Sequence, residues 1–193
     1  MQRFLLESYD AVLYSDSDEF IFASPDVLRG NSLAEYLGAL SAAVGITTGY
    51  DLLHDISSEP PYNPGHPLLS QRRVMRRQPT MDKPLISRPP LNWIPGFHSA
   101  VEGGTPIPGL YLPHLRWFDL DQALIKGGFY RTSSWSHYNV ENSLATYQRE
   151  GEGEIIERFR ANSVVAADLR GATFDPNASH TVVPDWMRAA IAV

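Results

Sequence analysis

Three carboxylates stand almost side by side after a short apolar run near the start of the chain. In the stretch YDAVLYSDSDEFIF, Asp16 and Asp18 are separated by one serine, and Glu19 follows directly. Because alternate side chains of an extended segment point the same way, Asp16 and Asp18 can converge on one cation. Carboxylates at the end of a strand suit hard divalent ions such as Mg²⁺ or Mn²⁺. The alternative is that the acids only end the strand and face water, and the spacing does not decide between the two.

The apolar pattern predicts the elements that must position these acids. Residues 2–8 predict a short amphipathic helix and Ala11 to Tyr14 a short buried strand, so that the acids lie where the strand ends. The sequence of residues 32–35 is a capping box, and the apolar spacing after it predicts a helix that runs up to Gly45. Residues 46–53, rich in β-branched and aromatic types, predict a second strand.

Strands and helices are also predicted in the second half of the chain. Strands are predicted for Lys83 to Ile86 and for Gly109 to Leu115. Asp119 begins the next helix, which the pair Gly127-Gly128 is expected to end, so that Lys126 lies in its last turn. Two further helical pieces are predicted within 140–162, and Pro184 opens a terminal helix.

The chain has fifteen prolines and fourteen glycines, many of them between residues 58 and 113. Such a composition predicts a long, irregular, proline-rich region in the middle. Together with the strands and helices predicted along the chain, the sequence predicts an α/β fold, and 193 residues favour a single domain over residues 1–193.

Composition narrows the classes of partner. The formal charge is −6, which disfavours a nucleic-acid surface, so small molecules are the expected partners. No window approaches the roughly 18 apolar residues of a membrane span, and no signal peptide pattern is present. There is no cysteine, so a metal must be held by oxygen or imidazole ligands. A cytoplasmic location is the default expectation.

The arrangement of a strand, D-x-D and then E-F-I resembles the metal-binding signature of GT-A glycosyltransferases, in particular family 2-like members with a D-x-D-E-F sequence. Three later blocks are similar to later blocks of those enzymes: KPLISR at 83–88, GFH at 96–98 and LPHLRWFDLDQALIK at 112–126. The resemblance covers roughly residues 5 to 130, and no later block is specific alone. It implies part of a GT-A-like, Rossmann-related mixed sheet with flanking helices.

The resemblance also implies a site and a reaction. Asp16 and Asp18 would hold Mn²⁺ or Mg²⁺ on the diphosphate of a nucleotide-sugar donor, and Lys126 would steady that diphosphate. A later histidine would complete the metal ligands, either His114 or His98; His114 is preferred because it follows an apolar strand, which can hold it rigidly. The sugar would pass to a glycan or another hydroxyl acceptor.

Other site residues are less well determined by the sequence. Glu19 is expected to orient the motif or the donor sugar, and Arg116 is an alternative to Lys126 at the diphosphate. An inverting transferase needs a carboxylate base, for which no residue can be singled out, and Asp119 is favoured as a helix cap instead. The candidates for the base are Glu19, Asp51, Asp55 and Asp119.

Two sets of residues are candidates for acceptor binding. Arginines at 72, 73, 76 and 77 would suit an anionic acceptor, although such a cluster more often forms a solvated surface. Indole rings suit the apolar faces of sugars, although large aromatic residues are more often core. The tryptophans considered are Trp93, which is favoured because it lies in a loop, Trp117 and Trp135.

In GT-A enzymes a nucleotide-binding half of the sheet precedes the D-x-D motif. Only fifteen residues precede Asp16, and a βαβ unit needs roughly 30. We therefore expect the chain to correspond to the carboxyl-terminal portion of such an enzyme, without the upstream half. A fragment, a start assigned too late and a separate upstream chain are the alternatives, and an unpaired sheet edge would favour self-association.

Two other functions are compatible with the motif. A transferase-like domain that has lost the upstream half would bind a glycan or a partner protein without turnover. Haloacid dehalogenase-like phosphatases also place D-x-D after a strand, and there Asp16 would be the nucleophile and Asp18 the general acid. Glu19-Phe20 departs from the small residues usual in that class.

Overall fold

A computed structural model of the chain describes residues 2–134, 137–141 and 150–189, and it has an α/β fold. One curled mixed sheet of seven strands is flanked by helices. The strands are β1 Val12–Leu13, β2 Phe22–Ala23, β3 Val44–Leu53, β4 Val74–Arg77, β5 Pro84–Ser87, β6 Thr105–Trp117 and β7 His180–Val182. The helices are α1 Gln2–Leu6, α2 Pro25–Leu28, α3 Leu33–Ala39, α4 Leu120–Thr132, α5 His137–Glu141, α6 Glu152–Asp168 and α7 Asp185–Ala189.

Strand β3 is the centre of the sheet. Its first residues pair with β5 and its last with β4, both antiparallel, whereas β6 runs parallel to it. Gly45 pairs with both β5 and β6, and Leu53 with both β4 and β6, so β4 and β5 follow each other along one edge of β3 and β6 occupies the other. Strand β1 lies outside β5, β7 outside β4 and β2 outside β6.

The first predicted elements are present, but their boundaries and burial differ. The capping box of α3 is formed: Ser32 Oγ accepts from Glu35 N at 3.2 Å, and Glu35 Oε2 accepts from Ser32 N at 2.8 Å. The helix predicted up to Gly45 nevertheless ends at Ala39, because Val44 and Gly45 pair with β5 instead. The predicted strand before the acids forms as β1 but is not buried, since it lies at the end of the strand order and Leu13 is exposed.

Helix α4 does not stop at Gly127-Gly128, as the sequence predicts, but continues to Thr132. Gly127 is buried in the contact between α4 and α6, where a Cβ atom would lie 2.7 Å from Cδ1 of Ile155. This glycine therefore permits the two helices to pack closely rather than ending the first. Lys126 consequently lies inside α4, so the attraction of a helix carboxyl end for cations does not explain its position.

The remaining predictions are mostly confirmed. Residues 83–86 and 109–115 fall almost wholly within β5 and β6, and α7 follows Pro184. Of the two helical pieces expected within 140–162, the second corresponds to α6, whereas the first lies mostly in residues 142–149, outside the described part of the chain. The short strands β2, β4 and β7 were not predicted. None of the helices in the described ranges is long and apolar enough to cross a membrane.

The proline-rich segment 58–67 is irregular, as predicted, and Arg72 anchors it. The Arg72 side chain is fully buried and donates to Pro60 O, to Phe118 O and, at 3.1 Å, to Asp119 Oδ2. Asp119 Oδ2 also accepts from Tyr62 N at 2.7 Å. The expectation of a solvated arginine surface is therefore wrong for Arg72, because its guanidinium supplies donors that a loop without regular pairing needs.

Replacing Arg72 with alanine should destabilise the fold strongly, because the buried carboxylate of Asp119 and the carbonyls of Pro60 and Phe118 would lose a donor. We expect the free energy of unfolding in urea to fall by about 3–5 kcal/mol. Arg170→Ala, which removes an exposed arginine, is the control and should change it by less than about 0.5 kcal/mol. Equal effects of the two substitutions would contradict the anchoring role of Arg72.

Candidate functional site

The D-x-D motif lies on a segment that crosses the sheet from one edge of β3 to the other. At its start Tyr14 N donates to Leu85 O of β5 at 2.9 Å. At its end Phe20 N donates to Pro113 O at 3.0 Å and Leu115 N of β6 donates to Asp18 O at 2.9 Å. Because β5 and β6 lie on opposite edges of β3, the acids pass over the central strand.

A buried lysine holds this crossing segment. The ammonium of Lys83 lies 2.5 Å from Asp16 Oδ2 and 2.6 Å from Glu19 Oε1, and neither the Lys83 nor the Glu19 side chain is exposed at all. Glu19 Oε2 accepts from Asp16 N at 2.9 Å, so Glu19 orients the motif, one of its two expected roles. The Asp16 side chain remains 42% exposed and also accepts from the Tyr14 hydroxyl at 2.9 Å.

Asp18 meets two cationic side chains that lie far along the sequence. Its Oδ2 is 2.7 Å from the Lys126 ammonium and 3.5 Å from His114 Nε2. The hydrogen bond to His114 and the charge of Lys126 outweigh burial and hold the pKa of Asp18 far below its usual range. Burial opposes the ionisation of Asp16, but the hydrogen bond and the charge of Lys83 outweigh this effect. The pKa of Asp16 is therefore also lowered.

Asp51 fixes the orientation of His114. This carboxylate is buried on β3 and its Oδ1 lies 2.9 Å from His114 Nδ1, while Oδ2 accepts from Arg76 at 2.7 Å and from Gln78 at 3.2 Å. Burial alone would lower the pKa of His114, but hydrogen bonds to Asp18 and Asp51 raise it to about 9. With Nδ1 held by Asp51, the second ring nitrogen points to Asp18.

The donor set is compatible with a divalent cation. Two ligand atoms that each lie about 2.1 Å from one metal ion are about 3 Å apart when the angle between them at the metal is a right angle. They are farther apart when this angle is wider. The 3.5 Å between Asp18 Oδ2 and His114 Nε2 therefore allows both atoms to bind one ion, which would have to displace the proton that the raised pKa keeps on His114. No group of three or more metal-ligating side chains was found among the described residues. Mg²⁺ is commonly held by one or two carboxylates together with substrate phosphates.

The second histidine considered as a metal ligand, His98, has a different setting. It lies with His114 on the wall of a cleft beside the D-x-D segment. Burial, followed by the charge of Lys83, lowers its pKa, so His98 is neutral at pH 7. The structure thus brings His114 and Lys126 together at the Oδ2 atom of Asp18. Asp16, two residues before Asp18, is held by Lys83.

The residues considered as the carboxylate base all have hydrogen-bond or ion-pair partners in the structure. Glu19 and Asp51 are buried in the pairs described above. Asp55 accepts from the hydroxyls of Ser57 and Ser58 and pairs with Arg73 at 3.3 Å. Asp119 caps α4 by accepting from Gln122 N at 3.0 Å, which confirms its predicted role as a helix cap.

The aromatic candidates for acceptor binding have separate environments. Trp93 stacks in a tilted arrangement with Tyr14 at a centroid distance of 4.8 Å and with Phe97 at 5.8 Å, beside the residue that binds Asp16. Trp117 is buried in the core between β6 and α6. Trp135 lies outside the described residues.

Two residues of the site were not singled out from the sequence as its members. Lys83 stands in the KPLISR block but precedes a strand like many surface lysines, and only its depth in the fold reveals its partners. Asp51, considered as a base, is instead the support of His114. A charged residue in an otherwise uncharged strand was the available signal, because a buried charge must be paired.

Replacing Lys83 with methionine should leave the Glu19 carboxylate buried without its cation. We expect the free energy of unfolding to fall by about 3–5 kcal/mol, measured by urea denaturation. Lys126→Met removes a lysine that is 41% exposed, and it should lower stability by at most about 1 kcal/mol. If the two substitutions have the same effect, Lys83 does not hold the segment.

The raised pKa of His114 predicts a pH dependence of stability. An unfolded histidine titrates near pH 6.5, and the folded His114 near 9, so its stabilising contribution is complete below about pH 6.5 and is lost as the pH rises through 9. The difference between these two pKa values corresponds to at most about 3.4 kcal/mol. The decrease between pH 6.5 and 9 should be absent in His114→Gln, and a parallel decrease in both proteins would exclude His114 as its source.

Comparison with known proteins does not assign the chain to a family. No family model matches the sequence, and neither a curated protein nor a solved structure matches it. The relation to GT-A glycosyltransferases therefore stays a prediction from the sequence motifs.

Proposed function

We propose that this chain is a metal-dependent glycosyltransferase-like protein that transfers a sugar from a nucleotide-sugar donor to a hydroxyl acceptor. One observation carries the proposal. Asp18 of the D-x-D motif and His114 and Lys126 of the 112–126 block were expected around the metal ion and the donor diphosphate, and their polar atoms meet at Asp18 Oδ2.

Each of these side chains has a role in holding the donor. Asp18 and His114 hold a Mn²⁺ or Mg²⁺ ion, which would supply Lewis-acid stabilisation of the leaving diphosphate. Lys126, on the rigid helix α4, directs its ammonium to the same place and steadies the diphosphate charge. Asp51 holds His114 so that its Nε2 faces Asp18, where the ion would bind, as carboxylates do for many metal-binding histidines.

Asp16 contributes less directly to metal binding in this proposal. Its Oδ2 is occupied by Lys83 and its Oδ1 by Tyr14, so it fixes the course of the motif and leaves Asp18 in position. Its partial exposure still allows one oxygen to reach the ion or the donor when these bind.

A calorimetric titration with Mn²⁺ alone, then with UDP and GDP in its presence, tests the proposal. We expect one of the nucleotides to bind only with Mn²⁺, and Asp18→Asn to weaken that binding at least about tenfold, because it removes a charged ligand. Asp26→Asn, which neutralises an exposed acid on α2, is the matched control and should bind as the native chain does. If neither nucleotide binds in the presence of Mn²⁺ to a chain whose thermal unfolding is cooperative, the proposal is refuted.

The second candidate is a binding domain without turnover. It is favoured by the lysine partners of both motif carboxylates, Lys83 for Asp16 and Lys126 for Asp18, because these ammonium groups compete with a metal ion for the carboxylate oxygens. Hydrolysis of a nucleotide sugar that is abolished by Asp18→Asn would exclude it. A beryllium fluoride adduct of Asp16 would instead indicate phosphatase chemistry.

A further inference from the structure

A cleft of about 480 Å³ opens beside His114 and is lined by three arginines. We call it the arginine cleft and define it by Arg76 of β4, Arg116 and Trp117 of β6, and Arg158 of α6. Its volume lies in the range of about 300–1,000 Å³ that is usual for small-molecule sites. A ligand that fills it would touch three elements of the fold.

The guanidinium groups are held in place before any ligand binds. Arg116 and Arg158 both lie over the ring of buried Trp117, with Cζ atoms 4.9 and 5.4 Å from its centroid. Arg76 is fixed by its 2.7 Å contact with Asp51, and Arg158 Nε donates to Glu150 at 3.0 Å. Such preorganisation reduces the entropy that binding must overcome.

The charge balance of the cleft is opposite to that of the chain. Among the described residues that line it there are three arginines and one carboxylate, Asp51, whereas the whole chain carries a formal charge of −6. Glu150, the partner of Arg158, is not among those lining residues. A concave surface of one sign concentrates ligands of the other sign.

The arginine cleft is distinct from the hollow at the motif. Asp18 and Lys126 line a different depression with Phe129 on α4, and Arg116 borders both. A donor diphosphate held by Asp18 and Lys126 would therefore leave the cleft available to the second substrate. Guanidinium groups match the geometry of phosphate and carboxylate oxygens better than ammonium groups do.

We propose that the arginine cleft binds a phosphate or carboxylate group of the acceptor substrate. The acceptor role rests on the proposed function, whereas anion binding at Arg76, Arg116 and Arg158 rests on the cleft alone. The acceptor class would then be an acidic sugar or a phosphorylated molecule with a free hydroxyl group.

Titration calorimetry with inorganic phosphate, without divalent metal and at constant ionic strength, tests the anion site. We expect saturable binding that Arg158→Gln weakens about tenfold, since one charged donor is lost. Arg160→Gln removes the same charge two residues further along α6, where Arg160 pairs with Glu157 outside the cleft, and it should leave the affinity within about twofold. Absence of saturable phosphate binding, or equal losses in the two variants, would overturn the proposal.

A second set of titrations tests whether the cleft binds the acceptor group and not the donor diphosphate. Phosphate binding should persist in Asp18→Asn and Lys126→Gln, and saturating phosphate should leave Mn²⁺-dependent UDP or GDP binding unchanged. Competition between phosphate and the nucleotide would assign the cleft to the diphosphate and overturn the proposal. If phosphate binds through Arg158 while no nucleotide binds, the proposed function fails and the anion site stands.

Discussion

An ammonium group with no exposed surface must be neutralised by neighbouring carboxylates, and Lys83 imposes this requirement on the centre of the molecule. A buried ion without a partner is unfavourable by several kcal/mol. Asp16 and Glu19 meet the requirement from the segment that crosses β3. Pairing with Lys83 therefore also decides where the motif passes over the sheet, and Asp18 is consequently held within reach of Lys126 and His114.

The charges of the molecule are divided into two regions of different balance. Around the motif each carboxylate faces a cation, as Asp16 faces Lys83 and Asp18 faces Lys126, so that region is nearly neutral before a ligand arrives. In the arginine cleft the cations exceed the acids. His114 borders both regions, because its Nδ1 contacts Asp51 in the cleft and its Nε2 faces Asp18 of the motif.

Local signals in the sequence were sufficient for much of the fold. Residues 46–53 form a strand because β-branched and aromatic side chains recur there, and the capping box at 32–35 forms because its partners are three residues apart. The burial of Arg72 and Lys83 could not be predicted, because their partners come from distant segments. Gly127 was misjudged for the same reason, since Ile155 of another helix gives this glycine its role.

The order in which the site can assemble follows from how far apart its partners lie along the chain. Asp16 and Lys83 are separated by 67 residues, and Asp18 and Lys126 by 108. Contacts of such long range form only after the intervening loops have closed, which slows folding. During synthesis the acids leave the ribosome well before either lysine, so their charge is uncompensated until the later segments dock. A chain interrupted before residue 126 would keep the motif and lose the site.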